Sequence, residues 1–67
     1  VAQERRSRHP ELSIISLARP VVSDDGVLPA GSTGTVVHVY PTESAWEVEF
    51  NHPFHTVATV EPSALRE

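Results

Sequence analysis

The sequence predicts an all-β fold, a small barrel of about four to five short twisted strands. Three observations lead there. Apolar residues recur with a period of two in runs of four to six residues, and six prolines and three glycines cut those runs apart. With 67 residues in all, the spacing of these breaks leaves no uninterrupted stretch for a long helix.

The elements follow in order. Residues 1–10 carry no hydrophobic period and end at Pro10, which disfavours helix at His9, so they read as a flexible N-terminal arm; residues 11–67 form the barrel domain. Strands are expected at residues 14–17, 35–40, 45–50 and 56–60, where β-branched and aromatic side chains concentrate. Residues 19–33, punctuated by Pro20, Gly26, Pro29 and Gly31, read as a long irregular loop that ends in a tight turn at Gly31 and Gly34. Residues 41–44 make a hairpin connection, and 51–55 link the third strand to the fourth. Pro62, placed early where its missing N–H is least needed, opens a single helical turn.

Alternation assigns the faces. Trp46, Val48 and Phe50 fall on one side of the third strand and Glu47 and Glu49 on the other, which is the pattern of a half-buried strand. In the second strand, placing His38 outside sends Val37 and Val39 inward and leaves Val36 and Tyr40 outward. The first strand then contributes Ile15 and Leu17 to the core, with Ile14 outside, and Leu28, Ala58, Val60 and Leu65 complete it. A long first loop, short strands and a closing helical turn suggest a barrel of the SH3-like kind.

Composition excludes several classes of function. No apolar run approaches the roughly 20 residues that span a bilayer, so the expectation is a soluble, cytoplasmic protein with no membrane partner. The chain lacks cysteine, which rules out a disulfide framework and thiolate chemistry. Its net charge of -4 is divided unevenly, +2 on residues 1–9 and -6 on residues 10–67, and an acidic body is the wrong sign for general nucleic-acid binding. No Gly-x-Ser-x-Gly elbow surrounds a serine, and Asp24-Asp25-Gly26 is turn chemistry rather than an acid–base dyad. No catalytic residue, cofactor or metal site is therefore assigned; His38, His52 and His55 are too sparse a set to read as zinc ligands.

Residues 28–40, Leu-Pro-Ala-Gly-Ser-Thr-Gly-Thr-Val-Val-His-Val-Tyr, followed by Trp46-Glu47-Val48-Glu49-Phe50, resemble a small bacterial domain-of-unknown-function family, numbered 4926. The likeness spans about residues 12 to 66 and departs from the family pattern at Ile14 and in the histidine-bearing 51–55 loop. It implies an SH3-like barrel without an established active site, and an antitoxin or immunity role beside a toxin.

What remains for function is surface. The outward residues Ile14, Val36, His38, Tyr40, Glu47 and Glu49 form a candidate partner-binding patch, apolar and rimmed by acids, suited to another protein of basic character. Gly31 and Gly34 are assigned to architecture. Two alternatives stand beside this reading. One is a nucleic-acid-contacting barrel using Arg5, Arg6 and Arg8 with Tyr40 or Phe54 as stacking platforms; the other is an accessory subunit of a larger redox or metabolic complex.

Overall fold

The computed structural model describes residues 10–66, so the arm assigned to residues 1–10 lies, apart from Pro10, outside the described residues. The described chain is all-β. Its strands run β1 (Ile14–Ser16), β2 (Val21–Ser23), β3 (Gly26–Leu28), β4 (Thr33–Val39), β5 (Trp46–Phe50) and β6 (Thr56–Val60), with 3₁₀ turns at Pro41–Glu43 and Pro62–Ala64. Four strands form an antiparallel sheet in the order β1-β4-β5-β6, and β2 and β3 pair as a separate hairpin.

The four expected strands are present, each within two residues of its expected bounds. The segment expected to be an irregular loop instead contains the β2–β3 hairpin. Its valines pair across a two-residue Asp24-Asp25 turn, with Val22 opposite Val27 and Ser23 opposite Gly26. Ser23 Oγ donates to the Gly26 carbonyl at 2.8 Å, and Gly26 has a φ of +142°, a value that favours glycine. The loop tip is therefore less adjustable than an open turn, since a Cβ at Gly26 would lie 3.0 Å from the Phe54 ring.

Core residues come from every strand of the large sheet and from the chain's end: Ile15, Leu17, Val36, Trp46, Val48, Phe50, Ala58, Val60, Ala64 and Leu65, with Leu28 from the hairpin. β5 and β6 alternate without exception between buried and more exposed positions. β4 does not. A bulge between Val36 and His38 shifts its register against β5 and leaves Val37 and His38 consecutive on the exposed side. The expected inward Val37 and outward Val36 are thereby exchanged: Val36 is fully buried and Val37 is 40% exposed, while Val39 packs on the core as expected. Alternation assumes an unbroken ladder, and the inserted residue reverses it.

Gly34 also differs from its expected role as a turn glycine. It lies inside β4, between Ile15 and Phe50 in register, where an added Cβ would meet Val48 Cγ1 at 2.6 Å and the Glu49 carbonyl oxygen at 2.8 Å. It permits close packing of strands, whereas Gly31, with a φ of +91°, is the residue that turns the chain.

The last residues close the structure against β1. Leu17 and Leu65 form an antiparallel bridge, the Arg66 amide donates to the Ser16 carbonyl at 2.9 Å, and the Ala18 amide donates to the Ala64 carbonyl at 2.7 Å. The Pro62–Ala64 turn brings Ala64 and Leu65 into the core just before these bonds form.

Candidate functional site

Registers in the large sheet fix what lies on its outer face. Directly opposed residues in antiparallel strands share a face, so Ile14, Thr35, Glu49 and Val57 form one row across β1, β4, β5 and β6. His38, Glu47 and Thr59 form a second row beside it. The bulge adds Val37. Ile14 is 68% exposed and Val57 49%, so the face presents apolar side chains around two carboxylates.

Both glutamates are held in place. Glu47 accepts a hydrogen bond from the Tyr40 hydroxyl at 2.5 Å and another from the Thr59 hydroxyl at 2.7 Å. These donors stabilise the ionised carboxylate and hold its pKa below the usual value; partial burial opposes them, and His38 adds a smaller lowering effect. The same bond raises the Tyr40 pKa, because the phenol is a donor to an anion, with desolvation and the charge of Glu47 acting in the same direction. The His38 ring meets the Tyr40 ring edge-on, with centroids 4.8 Å apart. Glu49 pairs with His55, Oε2 to Nε2, at 2.8 Å.

Of the six expected partner-binding residues, the structure brings Ile14, His38, Tyr40, Glu47 and Glu49 to this face; Tyr40 is half-buried through its bond to Glu47. Val36 is excluded because it faces the core. Val37, Val57, Thr59 and His55 were missed. Alternation in β6 was sufficient to place Val57 and Thr59 outside, but the sequence carries no signal for the bulge that exposes Val37, or for the register that brings His55 to Glu49.

Among the described residues, no group of three or more His, Asp or Glu is arranged to hold a metal ion, and no helix is long and apolar enough to cross a membrane. Comparison of the chain with protein-family models, with curated proteins and with solved structures found no match.

Proposed function

We propose that this chain is a non-catalytic, protein-binding module built on an SH3-like barrel, and that it docks a basic partner on the outer face of its four-stranded sheet. One observation carries the reading: exposed Ile14, Val37 and Val57 surround the fixed carboxylates Glu47 and Glu49 on a single sheet face. An apolar patch with oriented acids is the composition of an interface that combines area burial with electrostatic steering. Tyr40 held to Glu47 adds an aromatic side chain whose orientation is already set. An antitoxin or immunity role, which the resemblance of residues 28–50 implies, would fit this face if the toxin were basic, since an acidic face steers a cationic partner to it.

The nucleic-acid reading has less support. Tyr40 is held beside the Glu47 carboxylate, which would repel a phosphate backbone, and Phe54 packs against Gly26 and the core, so neither ring is a favourable stacking platform for nucleic acid.

Co-expression of the chain with the product of its neighbouring gene, followed by affinity purification, tests the proposal. Wild-type protein should retain a basic partner, and Val37→Glu together with Glu49→Lys should release it while leaving the melt of the module unchanged. Equal recovery by both proteins, or recovery by neither, would overturn the assignment of this face.

A further inference from the structure

We infer that the docking face loses its negative charge on mild acidification, so that it holds a cationic segment of its partner at neutral pH and releases it below. This rests on the proposed docking function and specifies how that face would be regulated. The face carries two carboxylates and is ringed by three imidazoles. His38 stands opposite Glu47 in register, His55 bonds Glu49 at 2.8 Å, and His52 lines a shallow hollow with Ile14, Thr35 and Glu49.

The elements around the face bring few other charges near it among the described residues. β1 supplies Ile14 and Ser16, and β6 supplies Val57 and Thr59, none of which titrates. β4 contributes His38, and Tyr40, the residue that follows β4, adds a phenol whose pKa is shifted away from neutrality. The neighbouring hairpin places Asp24 across a trough from Val57 and Thr59. Arg19 and Glu61 border the far end of β6 as opposite charges, and Arg19 is engaged with Ser63 at 2.7 Å.

With the imidazoles neutral, Glu47 and Glu49 give the face a charge of -2; protonating His38, His52 and His55 brings it to +1. Counting Asp24 lowers both values by one and leaves the swing at three charges. Imidazole is the side chain that gains its charge between about pH 8 and 5, whereas carboxylates as a class remain ionised through most of that range. Adjacent strands lie about 4.8 Å apart and the screening length at 0.1 M salt is about 10 Å, so a cation seated between the glutamates would feel every imidazole. Protonated His55 would in addition compete directly for Glu49, the carboxylate it already touches.

The test uses the full chain and a fluorescent nona-arginine peptide, titrated at pH 7.5 and pH 5.5 at one fixed ionic strength. Dissociation constants should rise at least tenfold on acidification for the wild type. For the His38→Gln, His52→Gln, His55→Gln protein the rise should be less than threefold; if the triple variant does not fold, His55→Gln alone should show a smaller rise than wild type. A wild-type constant that changes less than threefold, or variants that keep the full pH response, would overturn the switch while leaving the docking face intact. Binding that is absent at pH 7.5, or undiminished in Glu47→Gln, Glu49→Gln, would instead overturn the docking face itself.

Discussion

Gly34 shows how a single missing side chain sets the spacing of three strands. Two of its three near neighbours are side chains that can shift, but the Glu49 carbonyl, 2.8 Å from an added Cβ, belongs to a paired strand. Gly34→Ala should therefore destabilise by about 2 to 3 kcal/mol, as overpacking does in a tight core, and Gly34→Val by more. Gly31→Ala should lose only about 1 to 2 kcal/mol, because its neighbourhood is open and the penalty is conformational. Chemical denaturation of both variants checks the order, and a smaller loss at Gly34 would refute close packing there. The sequence revealed that a glycine was needed at this position, but not whether for a turn or for contact, since both demands select the same residue.

At the same scale, the Tyr40–Glu47 bond makes stability depend on pH. A carboxylate whose folded pKa is lowered contributes stability above its unfolded value, about 4.5, and that contribution is lost as pH falls through the folded value. Tyr40 works in the opposite direction: its raised pKa contributes below about 10, and the contribution is lost as pH rises through the folded value. Tyr40→Phe should remove the Tyr40 effect and the largest part of the Glu47 effect, leaving Thr59 as a donor, so its melting temperature should fall less than that of wild type on going from pH 6 to pH 3. In wild type, phenolate absorbance should appear at higher pH than in Glu47→Gln; coincident titrations would argue against the bond.

Among the elements, the β2–β3 hairpin stands apart. Between Arg19 and Leu28 no backbone hydrogen bond reaches the rest of the described chain; those at its base are the Ser32 amide to the Pro29 carbonyl, the Leu17 amide to the Ser32 carbonyl and the Gly31 amide to the Leu17 carbonyl. Its attachments are side chains: buried Leu28, Val21, the Gly26–Phe54 contact and the Arg19–Ser63 bond. Amides at its pairing positions should therefore exchange hydrogen by local opening, at least tenfold faster than those of β5, which is paired on both sides. Uniform protection across hairpin and sheet would show instead a single cooperative unit. This hairpin was partly legible, because Val21-Val22 and Val27-Leu28 flank an Asp-Asp-Gly turn; the density of proline and glycine around it concealed strands only three residues long. β5 and β6 were read correctly because alternation survives wherever the ladder is unbroken. The β4 bulge had no such trace, since Val36, Val37 and Val39 are equally able to face either way.

At the scale of the whole molecule, the fold depends on its last residues. Ala64 and Leu65 are buried, and the amide and carbonyl groups around them complete the pairing of β1. Removing residues 62–67 should abolish the cooperative thermal transition, because losing even one buried leucine costs about 2 to 5 kcal/mol and a domain this small has little more than that in reserve. A truncated protein with an unchanged melting temperature would contradict the closure described above. The sequence indicated this turn through Pro62 and Leu65, but not its partner: a bridge between residues 17 and 65 leaves no local pattern.

That closure also fixes how the domain would respond to tension. β1 and the tail run antiparallel, so Ile14 at the start of one and Arg66 at the end of the other lie at the same end of their short ladder. A force drawing the two chain ends apart would load the Arg66–Ser16 bond first, then the Leu17–Leu65 bridge, then Ala18–Ala64, opening them in succession like a zipper rather than shearing them together. The module would be a weak link in any tether, yielding first at this seam.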